Sequence, residues 1–150
     1  MRAWVRSYPW RRINPVPWTL PAHPLAESRV ALVSSAGLTL PDQEPFDPER
    51  LGGDPSFRLI PAAVDVRVLG DSQRSRYYDH TGVRADANLA FPLERLGELA
   101  RRGHIGSVAP RHVSLMGSIT VTGPLIRHTA PAIAQLLRGD GVDVALLVPV

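Results

Sequence analysis

Cysteine and lysine are both missing from the 150 residues. Without cysteine there are no disulfides, no thiolate metal sites and no thiol catalysis within these residues. Without lysine, all 17 basic side chains are arginine, and the formal net charge is +3. Arginine does not titrate in the accessible range, so the chain stays basic to high pH. The arginines are scattered, and only Arg11-Arg12 and Arg101-Arg102 are adjacent. Clustered charge and a reading motif are what a nucleic-acid partner needs, so none is expected. An arginine-only composition rich in Ala, Gly and Pro reflects GC-rich coding more than function.

Long apolar runs are also missing. No stretch reaches the ~18–20 residues of a membrane span. Arg2, Arg6, Arg11 and Arg12 are followed by no continuous apolar segment, so no secretory signal is expected and the cytoplasm is the default location. P-loop, HExxH, GxSxG and GxGxxG patterns are all absent. None of the five histidines has a histidine partner at the i, i+4 spacing of a helical metal site.

Against these absences, 44% of the residues are hydrophobic and 21% charged, a globular profile long enough to bury a core. There are 15 prolines, and five of them share residues 1–28 with all three tryptophans, Trp4, Trp10 and Trp18. Proline blocks regular helix and central strand. Residues 1–28 therefore read as a Pro/Trp-rich arm before a domain at 29–150. Arg29–Ala36 reads as a buried strand ending at Gly37, followed by a long loop over 38–57. A second strand is expected at Ala63–Leu69, and irregular chain over Asp71–Asn88. Leu93–Arg102 has helical spacing with Pro92 before it and Gly103 as its C′ residue. Short extended pieces are expected at Ile105–Val108 and His112–Met116. Pro124–Arg138 reads as a helix interrupted at Pro131. Val142–Val148 is apolar on both faces, so it should be a central parallel strand. The order points to an α/β fold, a layered Rossmann-like domain with a mainly parallel sheet.

Several polar groups could carry chemistry, each with a plainer alternative. Ser34 and Ser35 end the first strand, where hydroxyls and free N–H groups can hold a carboxylate; simple strand termination is the alternative. His112, next to Arg111, is either an acid/base or anion contact, or a hydrogen-bonded structural histidine. Asp79-His80, near Asp86 and Asn88, is either a weak metal cluster or a solvated loop with Asx turns. Asp42, Glu44 and Asp47 read as solvated.

Five segments in order resemble one family: Arg29–Gly37 (RVALVSSAG) with Pro45-Phe46-Asp47; Gly53-Asp54 with Phe57–Pro61 (FRLIP); Asp86-Ala87-Asn88 with Phe91–Leu96; Gly103–Ser107 with His112 and Ser114–Gly117; and Gly141–Pro149 (GVDVALLVP). Together they are similar to the N-terminal portion of selenoprotein B in the glycine/sarcosine/betaine/D-proline reductase family. One departure is Tyr77, which replaces a histidine usual before the pair Tyr78-Asp79. The resemblance implies reductive C–N cleavage of a small amino-acid-like substrate. It implies that the last strand leads into a selenocysteine or cysteine nucleophile, which none of these residues supplies; either a UGA codon follows Val150, or this is a short homologue that has lost the nucleophile. It further implies His112 and Asp79 as catalytic residues and Ser34, Ser35 and Met116 as the substrate pocket, with no metal. No cofactor is expected on this chain, although a pyruvoyl group sits on a partner subunit in parts of the family. The expected partners are a reductase subunit or a second copy. The rival readings are a non-catalytic assembly module using the arm and the open edge beyond Val148, and an unrelated small metalloenzyme using the histidines.

Overall fold

The computed structural model describes residues 7, 13–16, 19–75 and 77–150. Of the expected Trp/Pro arm, 13 of 28 residues lie outside these residues, all three tryptophans among them.

The organising strand is β1, Arg29–Ser34. Its alternate residues feed two separate cores, because successive side chains of a strand point to opposite faces. Val30 and Leu32 join Ile60, Phe91, Leu93 and Leu96 on one face. Ala31 joins Val113, Ile133 and Leu137 on the other. After β1 the chain makes a short antiparallel ladder, β2 (Leu38–Thr39) with β4 (Gly70–Asp71). Between them, β3 (Phe57–Pro61) joins the main sheet. Helix α1 (His80–Ala85) and helix α2 (Leu93–Arg101) follow, then β5 (Ser107–Val108) and β6 (Arg111–Leu115). Helix α3 (Ala130–Gly139) and β7 (Val144–Val148) complete the order.

β1 pairs in parallel with three strands. β7 runs along one side from Val30↔Val144 to Ser34↔Val148. β5 and β6 pair with β1 at Arg29–Val30 and Val33–Ser34, respectively. β3 is antiparallel to β6. The fold is thus mixed α/β with a mostly parallel sheet. Val83 of α1 and Leu93 and Leu96 of α2 bury into the first core, and Ile133 and Leu137 of α3 into the second.

Four expectations need correction. The second strand is Phe57–Pro61, not Ala63–Leu69. Asp65 accepts a hydrogen bond from Arg67 N–H at 3.0 Å and caps a 3₁₀ turn over Val66–Val68. That local bond competes with the strand suggested by the alternating valines. The supposedly irregular stretch 71–88 contains α1, whose N-terminus Asp79 caps through Gly82 N–H at 2.9 Å. The loop after Gly37 begins with β2 rather than running structureless. Finally, β7 is parallel but not central: it pairs only with β1 among the described strands, and Leu147 is 68% exposed.

Other expectations match closely. Gly103 sits at φ 73° just past α2, where a side chain would be strained. The break at Pro131 is real. Pro131 lies in the first turn of α3, and the five residues before, Leu125–Thr129, form a wider π turn.

Candidate active site

The carboxyl ends of β1, β6 and β7 converge, which is where parallel α/β sheets place their ligands. Ser35 N–H donates to Val148 O at 3.1 Å, and Val150 N–H donates to Ser35 Oγ at 2.9 Å. Gly37 N–H donates to Leu115 O at 2.7 Å, and Ala36 bridges Met116. The segment after β4 closes over these tips. Ser72 N–H donates to Gly37 O at 2.9 Å, and the buried Gln73 donates from Nε2 to Ser35 O at 3.0 Å. Gly117 completes the cluster. A Cβ there would fall 2.7 Å from Gln73 Nε2 and 3.0 Å from Ser35 O, so glycine is what lets the two tips approach.

Two residues before Gln73 lies an Asp–His dyad. Asp71 Oδ1 is 2.7 Å from His80 Nδ1, and Arg84 Nε is 3.4 Å from Asp71 Oδ2. The Asp71 side chain is only 6% exposed, and that of His80 is 36% exposed. The Tyr78 ring stands edge-on to His80 with centroids 4.8 Å apart. The Tyr78 hydroxyl is buried without a hydrogen-bond partner. Burial, with the charges of Asp71 and Asp79, pushes its pKa up to about 12. Arg84 also lines a cleft of about 230 Å³ shared with Arg67, Asn88 and Glu94.

Each residue singled out from the sequence has a definite place. Ser35 sits half-buried at the strand tips. Ser34 is fully buried, donating to Ala90 O at 2.7 Å and accepting from Ala36 N–H at 3.2 Å. Met116 is buried beside Ala36. Asp79 caps α1, away from the tips along the chain. His112 lies inside the sheet, 0% exposed, and its Nδ1 accepts from Leu32 N–H at 3.0 Å. The reason is local. Ala109 and Pro110 interrupt the edge that β5 and β6 present to β1, and the imidazole takes the N–H left over. With Nδ1 accepting, the neutral ring carries its proton on Nε2, which has no partner. Burial pulls its pKa down to about 4. His112 therefore takes the hydrogen-bonded, structural arrangement of its two sequence readings.

Ser34, Ser35 and Met116 are thus brought together, whereas His112 and Asp79 are not part of the cluster. Gln73, Gly117 and the partnership of Asp71 with His80 were not legible beforehand. Nine residues separate the dyad, a spacing with no helical or strand signature, and only the fold of β4 against α1 joins them. Among the described residues no group of three or more His, Asp or Glu side chains converges as a metal set would. No described helix is long and apolar enough to cross a membrane.

Comparison with known proteins defines the class. Residues 2–149 match the family model for glycine/sarcosine/betaine reductase selenoprotein B, and the chain belongs to that family. It is 35% identical over 136 residues to the D-proline reductase subunit gamma of Acetoanaerobium sticklandii, covering 90% of this chain and 54% of that protein. It is 28% identical over 142 residues to the glycine reductase complex component B subunit gamma of Symbiobacterium thermophilum, covering 94% of this chain and 33% of the relative. It is 26% identical over 147 residues to the sarcosine reductase complex component B subunit beta of Peptoclostridium acidaminophilum, covering 94% and 32%. The chain thus spans about half the length of the first relative and about a third of the others. No solved structure matches.

Proposed function

We propose that these residues form the substrate-facing part of a reductase-complex subunit that cleaves a C–N bond of a small amino-acid-like molecule reductively. The observation that carries this reading is the convergence of Ser35, Gly117 and Val150 at the carboxyl ends of three strands, in a chain of the selenoprotein B family. In this reading Ser35 meets the substrate carboxylate, with Ser34 and Met116 forming the wall behind it. The selenol or thiol enters from the segment that follows β7, beside Ser35. The Rossmann-like layering expected from the sequence is supported by α1 and α2 packing into one core and α3 into the other.

Two measurements test the reading. The codons after Val150 should include UGA, or a cysteine codon, within a continuing frame. The full-length protein, assembled with its partner subunits and given a dithiol reductant, should consume D-proline, glycine, sarcosine or betaine with release of the reduced product. No turnover of any of the four sinks the reading. A second reading, a non-catalytic assembly module, draws on the exposed Leu146 and Leu147 of β7. It predicts stable complex formation with no loss of turnover when Ser35 is replaced by alanine.

A further inference from the structure

We propose that His80, held in place by Asp71, is the acid/base residue of this site, and that Asp71 is its positioning residue. The inference deepens the reductase reading and rests on it. Four observations carry it. First, the Asp71 carboxylate can only accept, so at 2.7 Å His80 Nδ1 must donate, and the other ring nitrogen, Nε2, is left to exchange protons. Second, the exposure is graded as proton transfer requires: the orienting carboxylate is buried and the imidazole is open to solvent. This is the same division of labour by which a buried carboxylate fixes the tautomer of a catalytic imidazole elsewhere. Third, the dyad is joined to the strand tips by the backbone itself. Asp71 is two residues from Gln73, at most about 7 Å between Cα atoms, and Gln73 binds Ser35 O and packs on Gly117. Fourth, the charged and titratable groups around the ring among the described residues are Asp71, Arg84, Tyr78 and the adjacent Asp79. Arg84 shares the Asp71 carboxylate, and Tyr78 gives the ring an apolar edge contact, so the imidazole is braced from more than one side.

In the reaction, the selenolate or thiolate forms a bond to the substrate carbon as the C–N bond breaks. The bonding pair stays on nitrogen. Where the substrate amine is bound as its neutral free base, His80 Nε2–H, starting as imidazolium, gives that nitrogen its proton as it leaves and ends as neutral imidazole. No group at the strand tips does this, and neither does His112. Ser35 is a poor acid, Gln73 does not titrate, and His112 is enclosed with its Nδ1 committed to Leu32.

The test uses the full-length protein in the assembled complex. His80→Asn keeps a donor toward Asp71 but removes the acid. It should lower kcat by about 100-fold or more, the range of general acid–base catalysis, with KM little changed. It should also remove one limb of the pH profile. Asp71→Asn should give a smaller kcat loss and shift that limb. Ring nitrogen NMR of His80 should show protonation at Nδ1 in the wild type and a tautomer mixture in Asp71→Asn. A His80→Asn protein that melts like the wild type and keeps kcat within about threefold overturns the proposal, as does an Nε2–H tautomer in the wild type. If the wild-type complex cleaves no C–N bond, the reductase reading and the catalytic role fall together, while the NMR result still reports on the dyad alone.

Discussion

His112 makes the stability of this protein depend on mild acid. Its imidazole is completely enclosed and accepts from Leu32 N–H, a bond that only the neutral ring can make at Nδ1. In the unfolded chain the ring titrates near 6.5; in the fold, burial pulls its pKa to about 4. The sign follows from which state binds more protons. Below pH 6.5 the unfolded chain takes up a proton that the native state refuses until about pH 4, so stability falls as pH falls through this window. At about 1.4 kcal/mol per pH unit, the full loss is on the order of 3 kcal/mol. That is a large fraction of the roughly 5–15 kcal/mol that holds a domain folded. Carboxylates with lowered pKa, such as Asp54 and Asp86, act in a different window. Their contribution is present above about pH 3.8 and is lost only on further acidification. Urea melts at a series of pH values between 4.5 and 7 should therefore show a slope toward acid. His112→Asn supplies the control. Its side-chain oxygen can still accept from Leu32 N–H, but it does not titrate. The variant should be less stable at pH 7, because the side chain is smaller, yet nearly flat over the same window. Parallel profiles for wild type and variant would refute the assignment.

Three further substitutions separate structural from functional roles. Asp79→Ala should cost about 1 kcal/mol through loss of the α1 cap, whereas Asp79→Ser should restore the cap and full turnover; a serine variant with wild-type melting but no turnover would instead make Asp79 catalytic. Ser34→Ala should lower the melting temperature, because it removes a buried hydroxyl bonded to both Ala90 O and Ala36 N–H, a loss of about 1–3 kcal/mol; an unchanged melt with a raised KM would make Ser34 a substrate contact. Gly106→Ala should cost about 2 kcal/mol or more, since a Cβ there would lie 2.5 Å from the backbone of Glu27, in a 3₁₀ turn over Leu25–Glu27 whose Leu25 O accepts from Gly106 N–H at 3.0 Å; a variant that melts normally would mean that this turn does not pack against the chain leading into β5.

What was legible in the sequence was what short-range physics dictates. The buried run of β1, the helical spacing of Leu93 and Leu96, the glycine that stops α2 and the proline in the first turn of α3 all act over a few residues. The errors came where a local pattern had two outcomes. Val64, Val66 and Val68 alternate as a strand would, but Asp65 offers its own carboxylate to Arg67 N–H and turns the chain instead. The apolar run of β7 fits a strand buried on both faces equally well as one at a sheet edge, because burial is decided by what packs on it and not by the run itself.

The site shows the same division more sharply. Ser35 was visible because strand tips are where parallel sheets put polar groups, a rule of topology that a sequence can carry. The sequence reading put His112 ahead of His80 as the acid/base, although each is a single histidine beside a charged neighbour and nothing local ranks them. What separates them is tertiary. An interruption in the edge facing β1 leaves Leu32 N–H without a backbone partner and draws His112 inward, while β4 delivers a buried carboxylate to His80 and leaves the far side of its ring open. The inward histidine is fixed in its neutral form by the bond it makes; the outward one has Nδ1 on Asp71 and a side chain 36% exposed. A fold that uses one imidazole to repair its sheet and braces another against a buried carboxylate has divided the structural and chemical uses of the residue. The acid-stability slope of His112 and the turnover of His80→Asn measure those two uses independently.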